Sequence, residues 1–141
     1  MALDNIFGIA GSALNAQTVR MNATASNLAN ASTVASSDEA AFRGKRVTFK
    51  TIMETQVGGN DLANQGGVKV SGISDDPKSI SRVSDPGNPA ADKDGYVYLS
   101  NVNEMSEMVE MMAAARSYQN NVEVVNTARQ LMMRTLDIIK S

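Results

Sequence analysis

Cysteine, histidine and tryptophan are all absent from the 141 residues, and phenylalanine and tyrosine occur only three times each. Without cysteine there are no disulfides and no thiolate metal sites. Without histidine the usual general base and the commonest zinc ligand are missing. Catalysis would have to rest on carboxylates, lysines or hydroxyls alone, and Glu54, Asp61, Asp75, Asp76, Asp85 and Asp92 stand without an evident acid/base partner, so no enzyme and no cofactor are expected. Aromatics that fill large cores are scarce, and much of the 43 % apolar fraction is alanine together with nine methionines. A net charge of −2 gives no basic footprint for nucleic acid. No run of about 18 apolar residues exists, so no direct membrane insertion is expected. The opening MALDNIFGIAGSALN lacks a basic segment and is interrupted by Asp4, Asn5 and Asn15, so it does not read as a cleaved secretory signal.

Charge is missing locally as well. From Met1 to Ser37 the only formal charges are Asp4 and Arg20, and the rest is Ala, Ser, Asn, Thr, Gln and spaced apolar residues. Phe7, Ala10, Leu14, Met21 and Leu28 recur with a 3,4 spacing that Gln17 and Thr24 complete, which predicts a helix from about residue 4 to 30. Ile6, Ile9, Ala13 and Ala16 widen the stripe into a second face. Near the end of this helix stands ASNLANAST. Its Leu28 lies on the seam, while Asn27 and Asn30 either bond the unsatisfied carbonyls of the last turn or bond across a helix interface without the desolvation cost of an ion.

At the other end of the chain the 3,4 pattern reads Met108, Met111, Ala115, Tyr118, Val122, Val125, Arg129, Met132, Leu136 and Ile139, broken only by Arg129. This predicts one helix over 104 to 139, roughly 50 Å long at about 1.5 Å per residue. Asn103 is placed to be its N-cap, and Glu104 and Glu107 suit the positive end of its dipole. Between the helices, 37 to 102 holds all three prolines and most of the glycine and charge. RVTFKTIMETQ and GVKVSGI alternate like two short strands joined through VGGNDLANQGG, a predicted hairpin, and SDPGNPAADKDGYVYLSNV reads as turn-rich and extended.

The expected architecture is mainly α with a small β part: a helix in 1–36, a β-hairpin with extended loops in 37–102, and a second helix in 103–141, the two helices paired like a coiled coil. A single pair buries one stripe on each helix. The bare surface of the first therefore implies further neighbours, most simply other copies or relatives of this chain.

Other patterns carry less. With Gly95 as sixth residue of a calcium loop, the first and twelfth positions fall on Ala90 and Asn101, where a carboxylate and a bidentate Glu are required. Asn22 and Asn30 satisfy the glycosylation sequon but fall on a helix predicted to be packed. Met105, Met108, Met111 and Met112 at helical spacing read as a packing face rather than a soft metal site. Arg129 reads equally as an inter-subunit or lumen-facing charge and as a snorkelling edge residue.

SALNAQTVRMNATASNLANAST resembles the N-terminal signature of bacterial flagellar axial proteins of the rod and hook class. DPGNPAADKDGYV and NEMSEMVEMMAAARSYQNNVEVVNTARQLMMRTLDI look like proximal rod subunits of the basal body in particular, through PGNP, DGYV, EMV, RSYQ and the final TL. The resemblance implies a structural subunit whose terminal helices pack with other copies and other rod proteins into the inner tube of a hollow drive shaft. Such a subunit would adjoin basal-body ring and export-gate components, and would leave through the flagellar type III export apparatus for the periplasmic rod with no cleaved signal peptide. The packing residues would be Phe7, Leu14, Met21, Asn27, Leu28 and Asn30, with the ten C-terminal stripe residues from Met108 to Ile139. The alternatives are a neighbouring rod subunit of the same class and, from a different class, a self-folding soluble helical-hairpin adaptor.

Overall fold

The computed structural model describes residues 2–52 and 66–140. Its elements are α1 (Ala2–Ala29), β1 (Val34–Ala35), β2 (Lys45–Thr51), β3 (Val68–Asp75), β4 (Arg82–Ser84), β5 (Tyr96–Leu99) and α2 (Glu104–Lys140). The architecture is two long helices from the chain ends with small antiparallel sheets between them. The helices run antiparallel: Asn27 meets Glu107, Arg20 pairs with Glu110, and Ile6 lies beside Ala128 and Leu131.

Local chemistry explains the helix limits. The Asn103 side-chain oxygen accepts the Ser106 N–H at 2.9 Å, an N-cap that satisfies one of the free donors of α2's first turn. At the end of α1, the Asn30 side-chain amide donates to the Ser26 carbonyl at 2.8 Å, adding a second bond to the carbonyl that already accepts the Asn30 backbone N–H at 3.2 Å.

The interior of the pair is made of small residues. Ala10, Ala16 and Ala23 are buried on α1 and Ala114 and Ala128 on α2, with Ala114 completely covered. Seam positions on α2 alternate as Glu107, Met111, Ala114, Tyr118, Asn121, Val125, Ala128 and Met132, each buried or half-buried. The pairing face expected at Met108, Ala115, Val122 and Arg129 therefore lies one residue earlier at alternate turns, and Met108 and Arg129 are exposed. The reason is steric. Alanine lets two helices approach closely, so the contact line follows the small residues while the larger apolar ones stand to either side.

β2 and β3 form the expected hairpin, with Lys45 opposite Asp75 and Thr51 opposite Val68, and a register shift after Thr48 that leaves Ser71 as an extra residue. Most of the joining segment VGGNDLANQGG lies outside the described residues. This two-stranded ribbon is laid lengthwise on α1. Lys45 is held by Asn27 at one end, and the Val68 N–H donates to the Ser12 hydroxyl at 3.1 Å at the other. The lengths agree, since seven strand residues span about 23 Å and the helix from Ser12 to Asn27 about 22 Å. Val47 and Phe49 turn toward Arg20, Ala23 and Thr24 of α1. Where the strand meets the helix, a side chain on Gly67 (φ +134°) would come within 2.9 Å of the Ser12 oxygen, so glycine is required there. Part of the second face of α1, expected to be covered by other copies, is thus covered by the chain's own hairpin.

A second sheet, ordered β1-β5-β4, was not legible as strands in the sequence. Its strands are two to four residues long and lie among turns. The ADKDG stretch is a tight turn: the Asp92 carboxylate accepts the N–H groups of Asp94 and Tyr96 at 2.9 and 2.8 Å, and Gly95 has φ +79°.

Candidate assembly surface and its polar clamp

One end of the helix pair is closed by a buried polar cluster. Asn27 is 1 % exposed. Its Oδ1 accepts the Lys45 N–H at 2.6 Å, while Nδ2 donates to the Lys45 carbonyl at 3.0 Å and to Glu107 Oε2 at 2.9 Å. One amide thereby bonds the first residue of β2 as a neighbouring strand would, and also reaches α2. Glu107, 5 % exposed, faces the Arg46 guanidinium at 3.9 Å. Arg46 in turn donates from Nε and Nη2 to Asp76 Oδ2 at 2.9 and 2.7 Å. The other oxygen of Asp76 accepts the Lys78 N–H at 3.0 Å. That backbone bond first, and the Arg46 guanidinium second, hold the Asp76 carboxyl below its ordinary value, and Asp76 raises Arg46 correspondingly.

Asn101 completes the joint between the strands and the start of α2. Its oxygen accepts the Gly44 N–H at 2.8 Å, and its amide donates to the carbonyls of Asp76 and Lys78 at 3.1 and 3.0 Å. Two segments far apart in sequence are therefore tied by one side chain next to the helix N-terminus. Glu107, Arg46, Asp76 and Asn101 were not singled out for this from the sequence. Each looks like an ordinary surface residue until the fold brings them together.

Of the residues expected to pack, Asn27 is buried, and Phe7, Leu14, Met21, Leu28, Asn30, Met111, Ala115, Tyr118, Val122, Val125 and Met132 are half-buried. Met108, Arg129 and Leu136 are exposed, and Ile139 lies in α2 with its side chain outside the described residues. Two apolar patches remain uncovered on α2. Met105, Met108, Val109 and Met112 follow the i, i+3, i+4, i+7 spacing of one helix face, and Met133 and Leu136 are neighbours at i, i+3 near the C-terminus. Exposed apolar surface arranged in stripes is the mark of an interface. Arg129 borders a shallow groove with Glu123, Asn126, Gln130, Met133 and Arg134. Among the described residues no group of three or more acidic side chains is placed to hold a metal ion, and no helix is long and apolar enough to cross a membrane.

A long antiparallel pair built from the two chain ends, with a strand-bearing middle and uncovered apolar residues on α2, defines a helical-hairpin protein with surface left to be covered, and comparison with known proteins gives its family. Residues 7–34 match the family described as flagella basal body rod protein, and 93–138 match the flagellar basal body rod FlgEFG protein C-terminal family. The chain is 49 % identical over 138 residues to the flagellar basal-body rod protein FlgC of Yersinia enterocolitica, covering 98 % of both chains. It is 47 % identical to that of Salmonella typhimurium and 45 % identical to that of Buchnera aphidicola from Acyrthosiphon pisum, again over 98 % of each. The chain belongs to the flagellar basal-body rod protein family.

Proposed function

We propose that this chain is a non-catalytic structural subunit of the proximal rod of the bacterial flagellar basal body, part of the hollow shaft that transmits torque and serves as an export conduit. The observation that carries this reading is the end-to-end similarity to relatives named as rod proteins, which spans both helices and the middle segment together. The uncovered stripe at Met105 to Met112 and the exposed pair Met133 and Leu136 support it, because a subunit packed among other copies and other rod proteins needs such faces. In this reading the helix pair forms the inner-tube domain and 37–102 lies outside it, next to neighbouring rod and ring components. The chain passes through the flagellar type III export apparatus, without a cleaved signal peptide, to reach the periplasmic rod.

The test is a strain lacking the gene, complemented with the tagged chain. Basal bodies from the complemented strain, imaged by electron cryo-microscopy, are expected to hold the chain as repeated copies in the proximal rod, and the deletion is expected to stop at the rod stage and be non-motile. A deletion strain that builds complete rods would refute the proposal.

A further inference from the structure

We infer that the buried Asn27 amide is a coupling device, which keeps the β2–β3 ribbon docked on α1 only while α2 is paired with α1. An asparagine side chain has two N–H donors and one acceptor oxygen. All are engaged here, and they connect three separate elements: Oδ1 and one N–H to the Lys45 backbone on the ribbon, the other N–H to Glu107 on α2. Glu107 also fixes which way the amide faces. A carboxylate only accepts, so it selects the orientation that points Nδ2 at α2 and leaves Oδ1 toward the Lys45 N–H. The flipped amide would set oxygen against both the Glu107 carboxylate and the Lys45 carbonyl, and donor against donor at the Lys45 nitrogen.

The dependence runs in the other direction too. The carboxylate of Glu107, 5 % exposed, is met by Asn27 from α1 and by Arg46 from the ribbon. Lifting the ribbon removes the Arg46 charge from a buried carboxylate, and withdrawing α2 leaves a buried amide donor unpaired. Both carry the cost of an unsatisfied buried group. Ribbon docking and helix pairing therefore favour each other, as linkage requires. The far end of the ribbon works differently, because the Ser12 hydroxyl bonds Val68 without touching α2. The inference rests on this geometry and is independent of the rod reading.

Hydrogen exchange of the purified full-length chain tests it, read at the ladder amides of β2 and β3. Glu107→Ala is expected to speed their exchange about tenfold although Glu107 lies on α2. Asn27→Ala should do at least as much, and the double variant should fall well short of the product of the two single effects, because both remove the Asn27–Glu107 bond. Glu107→Gln, whose amide oxygen still accepts from Asn27, should recover most of the protection, whereas Ser12→Ala should act independently and multiply with either. Unchanged ribbon exchange in Glu107→Ala, multiplying effects in the double variant, or no recovery with Gln would overturn the inference. Ladder amides already unprotected in the parent chain, or an equal acceleration along α2 marking general destabilisation, would also count against it.

Discussion

Where α1 ends and α2 begins, Asn27, Glu107, Arg46, Asp76 and Asn101 interlock and almost every polar atom has a partner within the chain. At the opposite end, toward the C-terminus of α2, Met133 and Leu136 are uncovered. The difference teaches where the chain is self-sufficient. Polar groups buried together must be satisfied internally and so specify one geometry, whereas an exposed apolar stripe is non-directional and gains only when another surface covers it.

Substitutions can break this contrast. The largest effect is expected from Asn27→Asp, which sets a carboxylate against Glu107 and the Lys45 carbonyl and removes both amide donors. It should destabilise the purified chain by about 3 to 5 kcal/mol in denaturant titration. Ala114→Leu, at a position with no exposed surface, forces the helices apart and should cost about 1 to 3 kcal/mol by the same measurement.

Asp76→Asn keeps the size but loses the charge that faces Arg46, and should cost about 1 to 2 kcal/mol near neutral pH. Because the folded carboxyl titrates below its ordinary 3.8, the unfolded chain binds the proton first as pH falls. The stabilisation is therefore fully present above that value and disappears as pH drops through the lower folded one. The gap between parent and variant midpoints should be constant at neutral pH and narrow below pH 3.8. Leu136→Asp sharpens the contrast from the other end: stability of the isolated chain should change by no more than about 0.5 kcal/mol, yet complemented cells should lose motility. A Leu136→Asp strain that swims normally would place that stripe outside any assembly contact.

The helices, the Asn103 cap and the hairpin could be read in advance because each repeats a local signal: a 3,4 spacing, a capping side chain, an alternation of apolar and polar residues. The contact line between the helices could not. Periodicity weighs large apolar residues most, so it selected Met108, Arg129's turn and Leu136, whereas the most buried positions of α2 are Ala114, Ala128 and the charged Glu107. Of the two asparagines in NLAN, Asn30 bonds back to a carbonyl of the last helical turn and Asn27 bridges to another element, and both uses had been open. The distinction depends on Lys45 and Glu107, which lie 18 and 80 residues away. β1, β4 and β5 stayed hidden because strands of two to four residues carry too little alternation to register.

The antiparallel joining of the two chain ends also bears on the time course of folding. The Arg20–Glu110 ion pair closes a separation of 90 residues, whereas the ribbon meets α1 across 18 residues at Asn27 and 56 at Ser12. Closing longer loops costs more entropy, and topologies rich in distant contacts fold slowly. Helix pairing therefore carries the larger closure cost. Because Asn27 bonds both the ribbon and Glu107 of α2, docking and pairing are expected to complete together, in one slow step that leaves the alanine face of α1 uncovered until it occurs.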